Sequence, residues 1–337
     1  MTALGILWFF LIFLLIAVYF VLDGFDLGAG VLSPFLAHTD GERSMIRRAI
    51  GPVWDGNEVW LLTAGGALFA AFAPAYATTF SGFYLAIMLV LFGLIIRAVS
   101  LEFGAHATGF SATLCNIGFF LGSLLPALLF GVAVGNIYAG IPMTANGDYA
   151  GVPLLGLITP FTLLCGLLGL AMFCASGAGW MALKTPLTSE IRARSRKLRG
   201  VFQIVAFLLF VAISLYGHFI IQPEMDPGLN VLRWICAIAF VLFMLIAIAR
   251  GRLDYGDLQS FVCQAIATIA LVFLLAASMF PNLVVATADS IGPSITIATA
   301  ASTDTALGAM TIIACIGVPL VLIYHIIVYR VFYGRVK

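Results

Sequence analysis

Apolar residues fall along this chain in long runs separated by short polar stretches. The runs lie near 4–22 (with an apolar extension to 36), 59–77, 79–99, 112–134, 154–175, 201–221, 231–249, 260–280 and 308–329. About 20 apolar residues suffice for a helix to cross the hydrocarbon core of a bilayer. The pattern therefore predicts an all-α polytopic membrane protein with about nine transmembrane helices. No connection is long enough to make a soluble domain, and no internal repeat or linker is visible, so residues 1–337 are expected to form a single integral-membrane domain. The first run lacks a basic segment before it and a small-residue cleavage site after it, which predicts a retained span rather than a signal peptide.

Composition agrees with the pattern. Of 337 residues 63% are hydrophobic and 9% charged, and the mean hydropathy is +1.13; a soluble domain carries about 25% charged residues. The net charge of +1 supplies no basic field for nucleic acid. The distribution of charge is more telling than its sum. All basic residues but Arg233 fall in connections on one side: Arg43, Arg47, Arg48, Arg97, Lys184, Arg192, Arg194, Arg196, Lys197, Arg199, Arg250, Arg252, Arg330, Arg335 and Lys337. Basic loops stay in the cytoplasm, so the C-terminus is expected there and the N-terminus on the periplasmic side. An odd number of spans requires the same arrangement. The run Arg192–Arg199 reads as an amphipathic stretch facing anionic lipid. The segment Val284–Ala306 reads as an interfacial loop.

Ionisable residues inside or beside spans are the chemical candidates, because they are expensive there. Asp23 and Asp26 are three apart and share one face of the first helix. Counted from Leu4, Asp23 lies about 29 Å along that helix, toward its cytoplasmic end; emergence into the headgroup region is the plainer alternative. Asp55 and Glu58 are likewise three apart, just after Pro52 at the start of the second span. Acids at a helix N-terminus are favoured by the macrodipole alone, and Trp54 and Trp60 suit a membrane interface. Two acid pairs on consecutive helices nevertheless converge at one end. Four carboxylates close together in a low dielectric cannot all ionise comfortably, which is the character of a proton-handling site. Gly24, Gly28, Gly65 and Gly66 nearby predict close helix packing.

Other chemistry is not apparent. His38 and His106 fall in cytoplasmic connections, His218 near the outer end of the sixth span and His325 near the inner end of the ninth. No two share a depth on different helices, as a bis-histidine haem would require. Cys115, Cys165, Cys174, Cys236, Cys263 and Cys315 lie in apolar runs without metal or redox spacing, so no metal site is expected. No phosphate-binding loop, nucleophile elbow or zinc motif is present. A possible proton path without a redox centre predicts a chain that serves a partner.

The stretches Asp23-Gly24-Phe25-Asp26-Leu27-Gly28, Trp54-Asp55-Gly56-Asn57-Glu58-Val59-Trp60-Leu61 and Thr63 to Ala70 resemble subunit II of the cytochrome bd ubiquinol oxidases. Ser81 to Tyr84, Arg97 at the close of the third span, and Gly131 to Asn136 fit the same family. The likeness is dense over the first 140 residues and rests on hydropathy beyond them. The short connection Gln222–Asn230 resembles the compact, cyanide-insensitive-oxidase branch.

The resemblance implies a subunit of a quinol:oxygen oxidoreductase of the bacterial inner (cytoplasmic) membrane. A haem-bearing subunit I carries haem b and haem d. The complex oxidises quinol, reduces dioxygen to water and draws protons from the cytoplasm. It also implies that Asp55 belongs to a proton channel at the subunit interface, with Asp23 and Asp26 at neighbouring motif positions, Glu58 beside them, and Trp54 and Asn57 as supporting residues. A quinone within this subunit and a small extra subunit stay open. Two other classes compete on the residues alone. A proton-coupled secondary transporter lacks here the matched pair of interrupted helices in two halves. A haem-bearing electron-transfer subunit is opposed by the histidine placement.

Overall fold

The computed structural model describes residues 1–223 and 225–336. Glu224 and Lys337, the latter counted above with the cytoplasmic charges, lie outside the described residues. The α-helices are α1 (Ala3–Leu36), α2 (Asp40–Ile50), α3 (Trp54–Ala71), α4 (Ala73–Gly82), α5 (Tyr84–Gly104), α6 (Gly109–Ala139), α7 (Pro160–Lys184), α8 (Glu190–Tyr216), α9 (Asn230–Gly251), α10 (Asp257–Met279), α11 (Ile297–Ala300) and α12 (Asp304–Val331). Among the described residues eight of these, α1, α5 to α10 and α12, are long and apolar enough to cross a membrane. The chain is an all-α polytopic membrane protein.

The expected second span, 59–77, is not one helix. α3 stops at Ala71, Phe72 leaves helical geometry (φ −141°, ψ 60°) and Pro74 sits in the first turn of α4. A proline inside a continuous helix would remove a hydrogen bond and clash with the carbonyl four residues back, so the chain breaks just before it. The 18 residues of α3 rise about 27 Å, nearly a bilayer core, but Asp55, Asn57 and Glu58 make its first turns polar. The break displaces the next helix as well: α5 begins at Tyr84 and runs to Gly104, where 79–99 was expected. α7 starts at Pro160 behind a Thr159–Thr162 capping box, later than the expected 154. α8 starts well before 201, because Ser189 caps it and the basic run is helical.

α1 and α7 form the centre, with α3 and α6 on one side and α8 to α10 on the other. Their backbones touch at Gly28 and Gly177. A Cβ on Gly28 would lie 1.8 Å from the Phe173 carbonyl oxygen, and one on Gly177 would lie 2.3 Å from the Ala29 nitrogen. Small residues permit such approach where lipid supplies no hydrophobic drive between helices. Gly24 packs against the Phe173 ring in the same seam. Gly65 and Gly66 do not follow the expectation: nothing among the described residues lies within 4 Å of a Cβ at either position.

The basic connections meet at one end. α2, which the hydropathy pattern does not reveal, lies there as an amphipathic helix closed by a Thr39–Glu42 capping box, with Ile46, Ala49 and Ile50 buried. Trp180 stacks on Phe25 with centroids 4.4 Å apart and donates its indole N–H to the Ala49 carbonyl at 3.0 Å. The run Arg192–Arg199 does not face lipid as expected. Arg192 and Arg199 reach Asp257 at 2.6 and 2.8 Å, Arg199 also donates to the Gly251 carbonyl at 2.6 Å, and Arg194 pairs with Glu42. Guanidinium groups at this end are satisfied better by a buried carboxylate and by the free carbonyls closing α9 than by lipid. The run therefore ties α8 to the α9–α10 hairpin. At the opposite end, Val284–Ala306 is a packed cap with short secondary structure of its own. β1 (Asn282–Val284) pairs antiparallel with β2 (Ile295–Thr296), Ile141 donates to the Val285 carbonyl at 2.9 Å, and Ile297 is buried in a cluster with Phe9.

Candidate functional site

At the basic end, α1, α3, α5 and α12 bring polar side chains together inside the helix bundle. Asp23 and Asp26 are both fully buried, so the first acid pair is enclosed by protein. The two carboxylates diverge to different partners. Arg97 of α5 donates through Nη2 to Asp23 Oδ1 at 2.8 Å and to Glu58 Oε1 at 2.6 Å. Asn57 of α3 donates through Nδ2 to Asp26 Oδ2 at 2.7 Å and to the Leu22 carbonyl at 3.2 Å. Tyr329 of α12 in turn donates its hydroxyl to Asn57 Oδ1 at 3.1 Å. One guanidinium thus bridges acids from two helices, and one amide ties a third acid to a fourth helix.

Three of the four expected acids converge on this cluster, while Asp55 does not reach it. Asp55 stands exposed in the first turn of α3, and Trp54 beside it is partly buried. Exposure declines inward from there: Asp55 at the surface, the Glu58 side chain 25% exposed, and the Asp23 side chain at 0%. Asp23 Oδ2, Asp26 Oδ1, Arg97 Nη1 and the Tyr19 hydroxyl are buried without a partner among the described residues. Buried polar atoms left unpaired by protein are the kind that ordered water satisfies.

Arg97 departs from its expected place among the cytoplasmic connections, which follows from a third span closing at 99. α5 instead ends at Gly104, which sets Arg97 about 10 Å inside the helix, 2% exposed. Its own position in an apolar run was the available signal, by the same rule that selected the acids. Trp60 is also not an interface aromatic. It is buried and donates its indole N–H to His325 Nε2 at 3.3 Å, while His325 Nδ1 meets the Val321 carbonyl at 2.9 Å. Both nitrogens of His325 are thereby committed. His218 lies at the other end of the membrane depth, in the π-turn Gly217–Ile221 that continues α8. Among the described residues no group of three His, Cys, Asp or Glu is placed to hold a metal ion.

A second feature lies toward the opposite end. A cavity of about 610 Å³ runs between α1, α6, α7 and α8 to α10, lined by apolar side chains such as Phe13, Phe161 and Met172, with Tyr138, His218 and Arg233 among its polar members.

A buried acid–arginine cluster in a bundle of lipid-crossing helices defines a membrane subunit built to hold charge, and comparison with known proteins gives its family. Residues 4–332 match the family described as cytochrome bd terminal oxidase subunit II. The chain is 35% identical to the cytochrome bd ubiquinol oxidase subunit 2 of Bacillus subtilis (strain 168), covering 100% of this chain and 98% of that one. It is 31% identical to the cytochrome bd-I ubiquinol oxidase subunit 2 of Escherichia coli (strain K12), covering 99% and 95%. The fold is shared with a chain of the bd oxidase from Geobacillus thermodenitrificans, with a TM-score of 0.78, 17% identity, and coverage of 98% of this chain and 99% of that chain. The chain belongs to the family of cytochrome bd terminal oxidase subunit II.

Proposed function

We propose that this chain is the partner of a haem-bearing subunit I in a complex of the bacterial inner membrane that oxidises quinol and reduces dioxygen to water. Its own contribution is to take up protons from the cytoplasm through Asp55, Glu58, Asp23 and Asp26. The observation that carries this is the bridge from Arg97 to Asp23 and Glu58 inside the bundle. One cation set against three acids leaves a cluster whose charge changes by protonation, which a purely structural ion pair does not need. The decline in exposure from Asp55 through Glu58 to Asp23 orders the groups from an entrance inward.

The basic end is then the cytoplasmic face, by the rule that basic connections stay inside, and residues 1–337 act as one integral-membrane domain. Haems b and d supply the redox chemistry from subunit I; this chain moves protons and packs. The cavity beside Tyr138, His218 and Arg233 offers apolar walls and polar tips of the sort a quinone of its own would occupy. Replacement of Asp55 by Asn keeps size and hydrogen bonding but removes the titration. In the assembled complex, quinol-driven oxygen consumption should fall at least tenfold while the haem spectrum and subunit stoichiometry persist. Unchanged turnover and proton uptake would reject the proposal, and loss of haem together with activity would assign Asp55 a structural role instead.

A further inference from the structure

A small polar niche lies beneath α2, apart from the acid cluster and from the large cavity. It has a volume of about 140 Å³, and its walls include Ser33 of α1, Arg43, Ile46 and Arg47 of α2, and Asn116 and Phe119 of α6. Two arginines one helical turn apart line it and no carboxylate does. Arg47 is half-buried, with its guanidinium over the backbone of Gly104; a Cβ there would lie 2.9 Å from Nη2. Arg47 donates to Asn116 Oδ1 at 2.6 Å and forms no ion pair among the described residues. That bond turns the amide so that Asn116 Nδ2 remains a free donor. Arg43 pairs with Asp40 at 2.6 Å, but the Asp40 side chain is 96% exposed, and such pairs are weak and exchange readily.

Depth argues for what the niche holds. α1 has 34 residues and a length of about 51 Å, against about 30 Å of hydrocarbon and 40–45 Å with headgroups. Ser33 lies about 45 Å from its start, so with the start of α1 at the opposite headgroup boundary the niche falls among the headgroups. Apolar side chains near the niche in sequence, Phe35, Phe110 and Leu114, are exposed, as a wall against lipid requires. A phosphate diester carries the charge and the acceptor oxygens that two guanidinium groups, a hydroxyl and an amide N–H would satisfy. We propose that this niche binds the headgroup phosphate of an anionic phospholipid, with Arg43 and Arg47 supplying charge and Ser33 and Asn116 the neutral donors. The lipid then wedges α2 against α1 and α6, in the place the sequence pattern had given to the basic run of α8.

The test uses the assembled oxidase complex in nanodiscs of phosphatidylcholine doped with phosphatidylglycerol, followed by delipidation and native mass spectrometry of the retained lipid. The wild-type complex should retain phosphatidylglycerol in preference to phosphatidylcholine. Each arginine near a lipid surface is worth about fivefold in affinity. Arg43→Gln, which leaves the Arg47–Asn116 contact intact, should therefore weaken retention roughly fivefold, and the double variant with Arg47→Gln roughly twentyfold. Arg48→Gln, exposed on the same helix and outside the niche, should weaken retention less than Arg43→Gln does. Equal retention by wild type and Arg43→Gln would overturn the proposal, as would equal retention of the two lipids by wild type. Release of the lipid by excess inorganic phosphate would assign the niche to a free anion and overturn the lipid assignment.

Discussion

Arg97 of α5 and Asp23 of α1 meet at 2.8 Å with their side chains 2% and 0% exposed. An ion pair so withdrawn from water is a poor source of net stability, because both ions have lost their hydration, but removing one partner strands the other. The pair therefore constrains the site more than it strengthens the fold: Asp23 stays where Arg97 can bridge it to Glu58, and α5 stays in register with α1 and α3.

Arg97→Gln should accordingly be among the more damaging single changes in the chain, at about 3–5 kcal/mol. Adding Asp23→Asn should recover part of that loss, since the stranded charge is then gone. Thermal unfolding of the complex in detergent, read for the two single variants and the double, measures the coupling. Strict additivity would mean that the two groups do not act as a pair.

Helix seams give a contrast within one motif. Gly28→Ala puts a methyl group 1.8 Å from the Phe173 carbonyl oxygen, a backbone atom of α7 that cannot step aside. α1 and α7 would have to separate, so little folded protein should survive size-exclusion chromatography of the chain. Gly65→Ala meets nothing within 4 Å among the described residues, gains about 1 kcal/mol of helix propensity, and should elute as wild type does. Similar behaviour of the two variants would refute the packing assignment.

What the sequence made legible follows from what hydropathy sums. Long apolar runs yield the helices α6, α9, α10 and α12 close to their observed bounds, and intervals of three place Asp23 with Asp26 on one buried face of α1. A running sum of hydropathy does not register one residue in a non-helical conformation, so it carries no sign of the break at Phe72 before Pro74 and starts α5 too early. The same displacement moves Arg97 out of α5 and into a loop. Tyr329 and His325 meet Asn57 and Trp60 across 272 and 265 residues, and no local period encodes such pairings. The basic run of α8 was misjudged because its partner, Asp257, lies two helices away.

The lashing of α2 to α8 gives the chain a pH dependence at its basic end. Burial works against the charged form of Glu42, but hydrogen bonds from the His38 and Thr39 backbone N–H groups and the Arg194 guanidinium outweigh it and hold the carboxyl below its usual range. A carboxyl lowered in the folded state adds stability above its unfolded value of about 4.3, and that stability is lost as pH falls through the folded value. Proteolysis within residues 38–50 should therefore be slow near neutrality and rise as the medium is acidified below about pH 4. Glu42→Gln should be cut readily at every pH. A wild-type profile that stays flat on acidification would remove Glu42 from the account.

The order of the acids along the proposed path makes the most discriminating prediction. Glu58 is partly exposed and bonded to Arg97 Nη2, whereas Asp23, bonded to the same nitrogen, is wholly buried. If protons pass from Asp55 by way of Glu58 to Asp23, then Glu58→Gln blocks an outer step and Asp23→Asn an inner one. Neutralising either acid still leaves Arg97 a carboxylate, so assembly should survive in both. Small weak acids carry protons through water and can replace a missing surface donor, but they cannot follow into a closed bundle. Added azide or formate should therefore restore part of the oxygen consumption of Glu58→Gln and none of that of Asp23→Asn, with haem content equal to wild type in each. Rescue of both variants, or of Asp23→Asn alone, would show that the acids are not used in this order. Full activity in both without any added acid would show that neither lies on the path.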